Sequence, residues 1–73
     1  MAESNFMEIT AAQRAVELGE REQEVARSVL RRLLDDRPED REKIVGTKLR
    51  LAMAEQATWE AQEMLARLRG RED

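Results

Sequence analysis

Apolar residues recur along the first half of the chain in steps of three and four. Ile9, Ala12, Val16, Gly19, Gln23, Ala26, Leu30 and Leu33 form one row, and Ala11, Ala15, Leu18, Glu22, Val25 and Val29 form its neighbour. That period predicts an amphipathic helix with one broad apolar stripe. The stripe is thin at "GEREQE" (residues 19–24) and dense from Val25 to Leu34. "TAAQ" at residues 10–13 has the spacing of a capping box, which starts helix one near Ala11 with Thr10 as the cap. A start at Asn5 would add Phe6, Met7 and Ile9. The helix is expected to stop near Leu34 or Asp35, because "DDRPED" follows and Arg37 before Pro38 is pushed out of the α region. Pro38 suits the first position of a helix, with Asp36 and Arg37 as candidate caps and Asp36–Glu39 as a second capping box. Helix two then runs from about Pro38 to Arg69, and Gly70 is its natural stop. So short a connection makes the helices antiparallel neighbours. The expected fold is all-α: an antiparallel two-helix hairpin in one small domain over residues 1–73. Helix one covers about 11–35, the turn 35–38 and helix two about 38–69, with room for a further N-terminal helical turn.

Helix two lacks a single apolar side. Val45, Leu49, Met53, Ala57, Met64 and Leu68 share one side, whereas Ile44, Leu51, Ala52, Trp59 and Ala66 fall mainly on another. One antiparallel neighbour covers only one of these. The first set is assigned to the hairpin core, opposite Val25, Val29, Leu30, Leu33 and Leu34 of helix one. Ala52, Trp59 and Ala66 stand seven residues apart, so small residues flank the indole by two turns on each side, a seam suited to another helix. Trp59 either fills the hairpin's own core or anchors an interface, where tryptophan is enriched.

Composition sharpens this picture. A chain of 73 residues buries little of its surface and usually needs a disulfide, a metal or a partner. Cysteine and histidine are both absent, which removes disulfides and Cys/His zinc sites and leaves oligomerisation. No cofactor is expected. The net charge is −3, and the arginines between Arg27 and Arg50 are interleaved with Asp35, Asp36, Glu39, Asp40 and Glu42. This disfavours a nucleic-acid module acting through Arg27, Arg31, Arg32 and Arg41. No run approaches the ~18 apolar residues of a spanning helix, and "MAESNFME" lacks the features of a signal peptide, so a cytoplasmic protein without membrane contact is expected. Carboxylates lie beside arginines, no serine has a histidine partner, and no glycine-rich loop could cradle phosphate. Enzyme activity is therefore not expected. Gly19 and Gly46 interrupt helical patterns at about 1 kcal/mol each, which is either tolerated or marks close approach of another helix.

The stretches "EVARSVLRRLLDD", "RPED" and "KLRLAMAEQATWEAQEML" together resemble the small co-chaperones of type III secretion needle proteins, the YscE, PscE and SsaE type, over about residues 24–68. The resemblance implies a chaperone subunit in protein transport that acts without catalysis. It would pair with a larger helical-repeat (tetratricopeptide-type) chaperone and keep a needle subunit soluble and unpolymerised. Its partner-binding surface would be drawn from Ile44, Leu51, Ala52, Trp59 and Ala66. The rival expectation is a homodimer, two hairpins forming a four-helix bundle with a structural or regulatory role.

Overall fold

A computed structural model describes residues 2–70, with side chains from Phe6 onward. Two α-helices, α1 (Ala2–Asp36) and α2 (Arg41–Gly70), pack against each other as the expected hairpin. The result is a rod of 55 × 14 × 13 Å.

Both helix starts differ from those expected. Thr10 is interior to α1, and its Oγ1 donates to the Phe6 carbonyl at 2.9 Å instead of capping. A threonine hydroxyl satisfied one turn back leaves the helix unbroken, so "FMEI" continues it toward the N-terminus. At the turn, Arg37 N–H still donates to Leu33 O, and Asp40 N–H donates to Arg37 O. The second bond closes a β-turn with Pro38 at its second position, where the fixed proline φ fits. Pro38 is therefore a turn residue and not the start of α2. Asp40 replaces Asp36 and Arg37 as the cap. Its carbonyl accepts the first helical bond from Ile44 N–H at 3.1 Å, and its Oδ1 accepts from Lys43 N–H at 3.4 Å. Glu42 in the first turn and Arg67 and Arg69 in the last complement the dipole of α2.

The seam uses the first row of α1. Ala12, Gly19 and Ala26 are buried, and Ile9, Val16, Gln23, Leu30 and Leu33 are half-buried. On α2 it uses Ile44, Thr47, Leu51, Ala54, Thr58, Ala61, Leu65 and Leu68, all buried or half-buried. Both rows alternate steps of three and four without a break, the spacing of an antiparallel coiled coil. Gly19 lies against Thr58, and this juxtaposition sets the register. Counting outward from it puts Ala12 level with Leu65, Val16 with Ala61, Ala26 with Leu51 and Leu33 with Ile44. From Ala12 to Ala26 large residues thus face small ones, which suits close approach of the helices, while Leu33 and Ile44 near the turn are both large.

Several core assignments need correction. Val45, Leu49, Met53, Ala57 and Met64 lie outside the seam and are exposed, as are Val25, Val29 and Leu34. Of the expected core, Leu30 and Leu33 are half-buried in the seam and Leu68 is buried. The physical reason lies in α1. A row containing Ala12, Gly19 and Ala26 leaves room only for close approach, and Ala54, Thr58 and Ala61 permit it where a methionine row would not.

Candidate interaction surfaces

The middle of the seam is polar. Thr58, buried to 4% exposure, donates its hydroxyl to Ala54 O at 2.7 Å and accepts from Gln23 Nε2 at 2.8 Å. Gln23 Oε1 accepts from Arg27 Nη2 at 3.1 Å, and Arg27 Nη2 lies 3.9 Å from Glu55 Oε2. This chain of groups crosses from one helix to the other. No buried side-chain polar atom among the described residues is left without a partner. A satisfied polar layer of this kind fixes register, because sliding one helix by a turn would strand its groups in apolar surroundings.

Apolar side chains outside the seam collect on two surfaces. The first is a flank shared by both helices. On α1 it carries Ala11, Leu18 and Val25 at steps of seven, with Ala15 and Val29 beside them. On α2 it carries Gly46 and Met53 seven apart, and Arg50, Ala57 and Met64 seven apart. A groove of about 290 Å³ joins the helices here, between Leu18, Glu22, Val25 and Val29 on α1 and Thr47 and Arg50 on α2. Toward the free ends, Ala11 and Met64 share a second groove, so the flank is continuous along the rod. Phe6 and Met7, both about 70% exposed, extend it toward the N-terminus.

The second surface is the outer side of α2. Val45, Ala52, Trp59 and Ala66 follow one another at steps of seven and are exposed, Trp59 to 54%. Leu49 lies beside them and is also exposed. Of the five residues expected to bind a partner, Ala52, Trp59 and Ala66 stand together on this row. Ile44 and Leu51 belong to the hairpin seam instead, with Ile44 at 8% exposure. Between the two surfaces, on α1, lies a polar flank with Glu17, Glu20, Glu24 and Arg27.

The sequence pattern alone does not separate this flank from the core, because Val25 and Val29 on α1 and Met53, Ala57 and Met64 on α2 fit a hairpin core equally well by hydrophobicity. Matching the unbroken three-four row of α2, threonines included, to that of α1 separates seam from flank. Among the described residues no group of three or more His, Cys, Asp or Glu side chains could hold a metal ion, and no helix is long and apolar enough to cross a membrane. Fold and surfaces define an antiparallel coiled-coil hairpin with unpartnered apolar faces. The chain matches no protein-family model, no curated protein and no solved structure.

Proposed function

We propose that the chain is an adaptor subunit that works by binding, its outer α2 row being completed by the helices of a larger protein. One observation carries this reading: the hairpin exposes more surface than a compact chain of its mass, and large apolar side chains are part of what it exposes. A compact monomer of 8.5 kDa would expose about 4,700 Å², whereas the hairpin exposes 6156 Å². The excess is roughly 1,500 Å², and a standard interface covers about 800 Å² per partner. Among the described residues no side chain is fully buried, while eleven large hydrophobic residues are exposed. In its specific form the reading is a co-chaperone that joins a helical-repeat chaperone and holds a secretion needle subunit unpolymerised. The Ala52–Trp59–Ala66 row supports it, since an indole between two small residues offers an anchor flanked by clefts for a partner helix.

Trp59 is the only tryptophan and tyrosine is absent, so indole fluorescence reports on this row alone. Titration with a helical-repeat chaperone and its needle subunit is expected to shift the Trp59 emission to the blue as water leaves the ring. Trp59→Ala is expected to weaken the complex by about 2 kcal/mol, roughly thirtyfold, with helicity unchanged. Full affinity in that variant refutes the assigned row, and no complex with any such pair refutes the co-chaperone form.

A further inference from the structure

The charges around the outer α2 row change sign along the helix. From Leu51 to Ala66, about 24 Å of helix, α2 carries Glu55, Glu60 and Glu63 and no lysine or arginine. All three carboxylates are exposed, Glu55 on one side of the Trp59 row and Glu60 and Glu63 on the other. The α1 flank beside Glu55 adds Glu17, Glu20 and Glu24 against Arg21 and Arg27. Basic side chains stand at both ends of the stretch, Lys48 and Arg50 before it and Arg67 and Arg69 after it. Those that reach inward do not neutralise its middle. Arg27 lies 3.9 Å from Glu55 and Arg67 lies 3.7 Å from Glu63, both as solvent-exposed pairs. Glu60 accepts from the Gln56 amide and meets no cation among the described residues. Exposed pairs of this kind are worth little. The Ala52–Trp59–Ala66 strip is therefore bordered by negative charge along its middle and by positive charge at both ends.

We infer that the occupant of this row is an amphipathic helix with the reverse pattern: lysines or arginines border its apolar stripe over the middle four turns, and acidic residues stand toward its ends. The inference rests on the adaptor reading and adds the chemistry of the partner. Ala52 and Ala66 lie about 10 Å along the helix on either side of Trp59. The partner's stripe accordingly carries a small residue opposite the indole and large ones in the two clefts. The order of charge on α2, positive, negative, positive, reads the same in both directions, so the match holds for a partner helix of either polarity. Complementarity of this kind chiefly selects among partners. A helix bordered by carboxylates in its middle would set like charge against Glu55, Glu60 and Glu63.

The test uses two synthetic amphipathic peptides, each as long as the 30-residue α2. They share one composition and one apolar stripe. The first has lysines bordering the middle of the stripe and glutamates at its ends, and the second has the reverse. Equal composition cancels any general attraction to a chain of net charge −3. Each is titrated into the 73-residue chain at low salt and at about 1 M salt, with Trp59 emission as the readout. The lysine-centred peptide is expected to bind about tenfold more tightly at low salt, and the difference to shrink at high salt. Glu60→Lys/Glu63→Lys in the chain, both at exposed positions, is expected to remove the preference. Equal binding of the two peptides with the same blue shift overturns the inference and leaves the adaptor reading standing, because the row then accepts a helix of either pattern. A preference for the glutamate-centred peptide overturns it in the same way, as does a lysine preference that survives Glu60→Lys/Glu63→Lys. Binding by neither peptide, or binding that leaves Trp59 emission unmoved, overturns the inference and counts against the assigned row as well.

Discussion

Replacing Gly19 and Gly46 with alanine should move stability in opposite directions, although both glycines lie inside helices. Gly19 is buried in the seam, and a Cβ built there collides with Thr58 Oγ1. Turning the threonine side chain away does not solve this, because Thr58 Cβ is 3.1 Å and Thr58 Cα 3.2 Å from the same point. Backbone would have to move, and the Gln23–Thr58–Ala54 hydrogen bonds would stretch with it. Overpacking of this kind costs typically about 1–3 kcal/mol. Loss of geometry at the buried hydroxyl adds about 1 kcal/mol. Alanine's better helix propensity returns about 1 kcal/mol. The net expectation for Gly19→Ala is a destabilisation of about 1–3 kcal/mol. Gly46 has open space around it, so Gly46→Ala keeps the propensity gain and should stabilise by up to about 1 kcal/mol. The assay is thermal unfolding followed by helicity at one fixed chain concentration, where each kcal/mol moves the midpoint by about 4–8 °C in a domain of this size. A Gly19→Ala variant as stable as Gly46→Ala would refute the close approach of the helices and with it the register.

Three further outcomes follow from the same geometry. Thr58→Val keeps the shape but removes the hydroxyl, leaving Gln23 Nε2 without its partner, and should cost about 1–2 kcal/mol in denaturant unfolding. Asp40→Ala removes the cap of α2 and should cost about 1 kcal/mol, whereas Asp36→Ala should be close to neutral in the same assay. In this cysteine-free chain, Val16→Cys/Ala61→Cys should oxidise to an intramolecular disulfide under mild conditions, and Val16→Cys/Trp59→Cys should not, as read from mobility on a non-reducing gel.

The hairpin itself was legible in the chain because periodicity is local: steps of three and four, one proline and a burst of charge suffice for two helices and a turn. The turn residue and the cap were less legible, since Asp36, Arg37 and Asp40 are all chemically competent caps. Pro38 decides between them only through its place in the β-turn, which is set by how α1 ends. Choosing the seam on α2 failed for a deeper reason. Met53 and Met64 are more hydrophobic than Thr47 and Thr58, so a reading by hydrophobicity favours the wrong row. The seam is instead selected by shape, because Gly19 and its alanine neighbours on α1 demand small residues opposite. Trp59, which the sequence leaves as either core or interface, is exposed, while Ile44 and Leu51, expected on its face, pack inward. What occupies the exposed faces is a property of two molecules, and a single chain carries only one side of it.

The central claim is that this hairpin is too thinly packed to stand with its apolar faces bare. The most direct measurement follows helicity and molar mass of the purified chain together through a dilution series. The account predicts that helicity falls as the mass approaches 8.5 kDa, because the seam alone does not hold the isolated hairpin. A chain that remains fully helical as an 8.5 kDa monomer at the lowest concentrations would contradict it.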